Sequence, residues 1–124
     1  MLNRLLDSVI LIDHLNKIPK ATNYILSLQP EDTAISVITR AEILVGVSKE
    51  NKRKVLALLD QYITFPIDTN IADRTAELRK EYGWKLPDAF QASLATYYNL
   101  KLCTRNTKDF NPRRHPFVEI PYKL

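Results

Sequence analysis

The sequence has little of what staples small folds or binds soft metals. Of its 124 residues one is cysteine and two are histidine. A single thiol excludes an intramolecular disulfide, and Cys103, in Lys101-Leu102-Cys103-Thr104, reads as a small buried hydrophobe. Zinc needs more nitrogen and sulfur than His14, His115 and one thiol offer, and both histidines read as surface or helix-end residues. Glycine is scarce, with only Gly46 and Gly83, and there is no repeat, linker or low-complexity tract. No apolar run has the length needed to span a bilayer. The start, Met1-Leu2-Asn3-Arg4-Leu5-Leu6-Asp7, meets an acid too early to read as a signal peptide. The expectation is a cytoplasmic protein with no membrane partner.

What is present suits one folded unit. Hydrophobic residues make up 45% and charged residues 26%, as in an ordinary globular domain. The length predicts a single domain over 1–124, large enough to bury a core without cross-links. A formal net charge of +4 suits a polyanionic partner without demonstrating one.

Short apolar runs alternate with amphipathic stretches. Leu2 to Leu6 reads as a strand, followed by a helix through Ile10, Leu11 and Leu15 and a second helix over Ala21 to Leu28. Ala34 to Val37 reads as a strand and Thr39 to Val47 as a helix. Val55, Leu56, Leu58, Leu59 and Tyr62 have helical spacing within 52–62. Thr64 to Ile67 is expected as a strand that Pro66 confines to an edge. Two further helices, Thr69 to Tyr82 and Pro87 to Tyr98, precede short strands over Lys101 to Thr104 and Phe117 to Ile120. Strands alternating with helices predict an α/β fold, a three-layer α/β/α sandwich around a mostly parallel sheet.

Four acids fall where such a fold would gather them. Asp7 follows the first strand, Glu42 opens the helix after the second, Asp88 opens the helix at Pro87, and Asp109 follows the strand ending near Thr104. Strand carboxyl ends and the helix starts leading from them share one edge of a parallel sheet, where ligands bind. Each acid also has a purely structural explanation. Asp7 is a candidate N-cap. Thr39-Arg40-Ala41-Glu42 matches a capping box, with Ile38 and Ile43 as its hydrophobic staple. Asp88 suits the positive first turn of a helix, and Asp109 suits a turn closing Asn106-Thr107-Lys108-Asp109. Convergence changes the balance. Two carboxylates ~4 Å apart repel by ~4 kcal/mol at an effective dielectric of about 20, and a helix start returns only ~0.3–1 kcal/mol. Such a cluster needs protons or a cation, and oxygen ligands select Mg²⁺ or Mn²⁺.

At these positions the sequence resembles the PIN-domain nucleases, specifically the VapC-type toxins of type II toxin–antitoxin systems. The resemblance runs through Leu6-Asp7-Ser8-Val9-Ile10-Leu11-Ile12-Asp13, Ile38 to Gly46, Leu86 to Ala95, and Thr104-Arg105-Asn106-Thr107-Lys108-Asp109-Phe110, in register over nearly the whole chain. It implies that Asp7, Glu42 and Asp88 are carboxylates of a Mg²⁺ site. The fourth acidic place falls at Asn106 or Asp109, since some members carry an acid where this chain has Asn106. Val9 also departs from the pattern, standing where a polar residue is common. Ser8 and Thr104 orient ligands or water, or serve as helix and turn hydrogen-bonders.

The activity implied is endonucleolytic hydrolysis of RNA, with Asp7 and Asp88 holding the main ion and Glu42 and Asp109 binding a second or placing the attacking water. Arg40, Arg105, Lys108, Arg113 and Arg114 lie in or near the motif loops as candidates to offset repulsion of RNA by the acids. A homodimer and a small antitoxin covering the cleft are the implied partners. Lys49 to Lys54 reads as a solvated helix start or an interface. A receiver domain or an aspartyl phosphatase fits less well, because Asp7 has neither an acidic neighbour nor a second Asp two places on. The serious alternative is a catalytically silent domain of the same fold that binds RNA or a protein and uses its acids as caps.

Overall fold

A computed structural model describes residues 1–124. Five short strands form one parallel sheet: β1 (Arg4–Leu6), β2 (Thr33–Ser36), β3 (Ile63–Phe65), β4 (Lys101–Cys103) and β5 (Val118–Glu119). Between them run the helices α1 (Ser8–Leu15), α2 (Pro19–Leu26), α3 (Val37–Val45), α4 (Lys52–Leu59), α5 (Thr69–Tyr82) and α6 (Leu86–Tyr97), with a 3₁₀ turn at Pro30–Asp32. The sandwich expected from the sequence is the one observed, with every strand pair parallel.

Alternation along the strands builds the three layers, because successive side chains leave opposite faces of a strand. Leu5, Ala34 and Leu102 turn to one face and pack with Ile71, Trp84, Ala89, Ala92 and Phe110 beneath α5 and α6. Their neighbours Leu6, Ile35 and Cys103 turn to the other and meet Ile10, Leu11, Ile25, Ile43, Val55 and Leu59 of α1 to α4. A sheet buried on both faces needs apolar residues at consecutive positions, which Leu5-Leu6 and Leu102-Cys103 supply. Cys103 is buried, as its neighbours suggested.

The strand order, β3-β2-β1-β4-β5, places the site. From β1 the chain moves outward through β2 to β3, then returns to lay β4 against the other flank of β1, with Leu5 opposite Leu102. The exits of β1 and β4 therefore diverge, and the crevice between them is the topological switch point of the sheet. Asp7 leaves β1 there, and Thr104 leaves β4 beside it.

Element ends differ from the sequence expectation by a few residues, and at α3 the difference matters. The expected capping box at Thr39 to Glu42 is not the helix start. Ser36, the last residue of β2, is the N-cap, and its Oγ accepts from the Thr39 N–H at 3.0 Å. The strand runs straight into the helix, so the cap is a strand residue and Glu42 lies in the second turn. A macrodipole acts mainly within the first turn, so Glu42 draws little help from it.

Candidate active site

Asp7 is anchored more completely than a helix cap requires. It caps α1 by accepting the Ser8 N–H on Oδ1 at 2.8 Å. The same oxygen takes a longer bond from Gln91 Nε2, 3.3 Å, while Oδ2 accepts from the Thr104 hydroxyl at 2.7 Å. Thr104 is held in turn by the Asn106 N–H at 3.1 Å. Only 8% of Asp7 is exposed, and no cation pairs with it.

Asp7, Glu42 and Asp88 line one open cleft of about 330 Å³, with Ser8, Gln91 and Asn106 among its other walls. Burial, then the charges of Asp7, Asp109 and Glu42, push the Asp88 carboxyl up to about 6, against a smaller opposing pull from Lys85. Asp88 lies in the first turn of α6, whose start carries no side-chain cap bond, so this acid is not serving as a cap. Glu42 is also raised, by burial first and by Asp7 second, with Ser8 pulling the other way. The three acids therefore interact electrostatically.

Asp109 stands behind this group rather than in it. It does not line the cleft; Asn106 does. Asn106 Nδ2 donates to Asp109 Oδ2 at 3.0 Å, and the Asp109 N–H returns a bond to Asn106 Oδ1 at 3.2 Å. The turn expected over 106–109 is present, and Asp109 reaches Asp88 through its charge.

The expected basic rim is partly occupied by internal pairs. Arg105 borders the cleft, but its guanidinium grips Asp13 at 2.6 and 3.0 Å. Arg40 pairs with Asp60 at 2.9 Å. Lys108, Arg113 and Arg114 are exposed and without ion pairs. Trp84, delivered by the left-handed turn at Gly83 (φ 72°), joins the two flanking loops by donating its indole N–H to the Asp109 carbonyl at 3.0 Å. His115 corrects the sequence expectation. It is 7% exposed and packs among Tyr82, Trp84 and Phe117 rather than facing solvent. Burial, then Arg114, hold its imidazole below the ordinary histidine range.

Three residues, Gln91, Asp13 and Tyr122, were not singled out by the sequence pattern. Gln91 lies three residues beyond Asp88 on the same helix face, an amide among Ala89, Ala92 and Ala95, and that interruption was its one visible signal. Asp13 and Tyr122 fix Arg105 and the C-terminal segment together, with the Tyr122 hydroxyl donating to Asp13 at 2.7 Å. Nothing local announces that pairing.

The acids offer only oxygen donors, and none of them forms an ion pair with a side-chain cation, which fits a hard divalent ion. No three His, Cys, Asp or Glu side chains stand close enough to form a direct cage. An ion held here would therefore take one or two of these carboxylates and complete its shell with water. Fold and cleft together define an α/β/α protein with an acidic, oxygen-donor pocket at the switch point of its sheet.

The chain belongs to the PIN-domain family: residues 4–113 match the family model described as "PIN domain". It is 30% identical over 112 residues to Ribonuclease VapC10 of Mycobacterium tuberculosis, covering 86% of this chain and 84% of that one. In structure it is similar to a chain of a toxin–antitoxin complex from Klebsiella pneumoniae, with TM-score 0.90, 36% identity and coverage of 98% and 100%. It is also similar to a chain of VapBC2 from Rickettsia felis bound to a DNA fragment from their promoter, with TM-score 0.78, 28% identity and coverage of 95% and 98%. No helix is long and apolar enough to cross a membrane.

Proposed function

We propose that this chain, as a single nuclease domain over 1–124, is a Mg²⁺- or Mn²⁺-dependent endoribonuclease and the toxin of a toxin–antitoxin pair. The observation that carries this is the cleft itself: Asp7, Glu42 and Asp88 crowd one pocket and none of them has an ion-pair partner, Arg105 at the border being taken up by Asp13 and Lys85 offsetting only a small part of the charge around Asp88. The family match and the ribonuclease relative supply RNA as the substrate class.

Asp7 and Asp88 would hold the principal ion directly or through water. When bound, such an ion lowers the pKa of water and neutralises charge on a phosphoryl group. Thr104 and Ser8 N–H keep the Asp7 carboxylate in one orientation, so little rearrangement is needed on binding. Glu42 faces the same pocket, and its raised proton affinity suits it to accept a proton from the attacking water. Asn106 offers amide contacts at the rim, backed by Asp109. Lys108, Arg113 and Arg114 are free to meet RNA phosphates, whereas Arg40 and Arg105 would first have to leave Asp60 and Asp13.

A small antitoxin and a second copy of the chain are the proposed protein partners. A larger groove of about 720 Å³, lined by Ile12, Leu15, Ile43, Val47 and Val55, shares Glu42 with the cleft. An antitoxin segment lying there would end beside the acids. Lys54 flanks the same groove, which favours the interface explanation of the basic stretch.

The test is RNA cleavage by purified protein with Mg²⁺, then with EDTA. Cleavage that needs Mg²⁺ and disappears with the chelator is expected. Metal-independent RNA binding without cleavage of several structured RNAs would favour the silent module instead.

A further inference from the structure

We propose that Gln91 is a positioning residue for the cleft, its side-chain amide fixing the Asp7 carboxylate in the orientation that receives a divalent cation. This rests on the cleft being a cation site. One side chain here ties together the three elements that carry the three cleft acids. Gln91 stands on α6, three residues after Asp88. Its Nε2 donates to Thr39 Oγ1 at 2.8 Å, and Thr39 lies on α3 three residues before Glu42. The same nitrogen reaches Asp7 Oδ1 at 3.3 Å, at the exit of β1.

The bond has a structural cost. An ionised carboxylate only accepts, so the amide has to turn its nitrogen toward Asp7 and its oxygen away. Gln91 is 2% exposed, and its Oε1 is the one buried side-chain nitrogen or oxygen without a hydrogen-bond partner. A buried carbonyl left unpaired bears its whole desolvation penalty, which an apolar side chain of the same shape would avoid. The neighbours of Gln91 on that side of α6, Ala92 and Ala95, are fully buried and apolar, so packing along the helix calls for no amide at this place. An unsatisfied polar group in such a position asks for an explanation. Here it is the grip on Asp7: Ser8 and Thr104 hold the carboxylate from two sides, and Gln91 closes the third.

Gln91→Met keeps length and volume while removing both polar atoms. Two quantities decide: the thermal midpoint without metal, and the Mn²⁺ dissociation constant read from the electron paramagnetic resonance signal of free Mn²⁺. The expected result is a midpoint at or above that of the parent with Mn²⁺ binding weakened about 10–100-fold, as for other groups that orient a ligand. Unchanged Mn²⁺ affinity in folded Gln91→Met overturns the inference. So does weakened binding accompanied by a large fall in midpoint, which would make Gln91 a structural residue only. Should Gln91→Met not fold, Thr39→Val carries the test, because it releases the other end of the amide. Weaker Mn²⁺ binding is expected there too, and unchanged affinity overturns. A parent that binds no Mn²⁺ removes both this role and the metal-dependent function. A parent that binds Mn²⁺ and cleaves RNA, beside a Gln91→Met that binds equally well, removes only the role of Gln91.

Discussion

Two groups of acids in this protein lie within one short chain and behave in opposite ways. Burial raises the proton affinity of Asp13, but hydrogen bonds from Arg105 and Tyr122 and the Arg105 charge outweigh it and hold the carboxyl below its usual range. Glu119 is alike: burial is overcome by bonds from Tyr24, Arg4 and Cys103 and by the Arg4 charge. In the cleft, burial acts in the same direction on Asp88 and Glu42, and the neighbouring carboxylates add to it instead of opposing it. The difference lies in the company each acid keeps. Acids that hold the fold together arrive with their cations, whereas those of the cleft leave charge for something outside the chain to balance.

The sharpest way to break this contrast is to neutralise one acid from each group. Asp7→Asn and Asp88→Asn are expected to lower Mg²⁺-dependent RNA cleavage by ~100-fold or more, beyond the ~10–100-fold typical of groups that merely orient a ligand. Both variants should retain their circular dichroism spectra and melt cooperatively; normal cleavage by both would place the site elsewhere.

Asp13→Asn should do the reverse. It leaves Arg105 and Tyr122 facing a neutral amide at a position only 6% exposed. A loss of about 2 kcal/mol is expected in urea denaturation, below the full range for a buried pair because Arg105 is partly solvated. Its Mn²⁺ affinity should stay close to that of the parent, and a large fall would dissolve the division between the two groups.

A smaller effect concerns pH. The Asp88 carboxyl rises from 3.8 unfolded to about 6 folded. The native state then binds more protons across that interval, so this group stabilises the metal-free fold fully below the unfolded value, and the contribution is lost as pH climbs through about 6. Solvent screening limits the effect to on the order of 1 kcal/mol. Metal-free Asp88→Asn should therefore lack this decline between pH 4 and 6.5 (roughly the window of the shift) and melt above the parent at neutral pH. Mg²⁺ competes with the same proton, so cleavage by the parent should fall as pH drops below about 6. A flat profile there would remove Asp88 from the ion's neighbourhood.

The same contrast explains what the sequence made legible. Layering followed from local pattern, since short apolar runs alternate with amphipathic stretches, and Thr69 to Tyr82 was read with the bounds the helix has. Asp7 and Asp88 were legible because each sits at an element boundary. Glu42 was legible as a cleft acid but misplaced in its helix, since Ser36 serves strand and cap at once and Thr39 imitates a cap three residues later. The pairs that silence the other acids were invisible. Arg105 meets Asp13 across 92 residues of sequence and Arg4 meets Glu119 across 115, distances that only the strand order closes. Gln91 was hidden for another reason: its function is expressed in a hydrogen bond to a distant acid, not in a motif.

Diffraction from crystals soaked in Mn²⁺, with anomalous differences recorded at the manganese edge, locates the missing charge directly. A peak in the cleft between the Asp7 and Asp88 carboxylates, lost in Asp7→Asn, is the predicted result. Manganese found only at other surfaces, with Asp7 and Asp88 still free of it at saturating concentration, would contradict it.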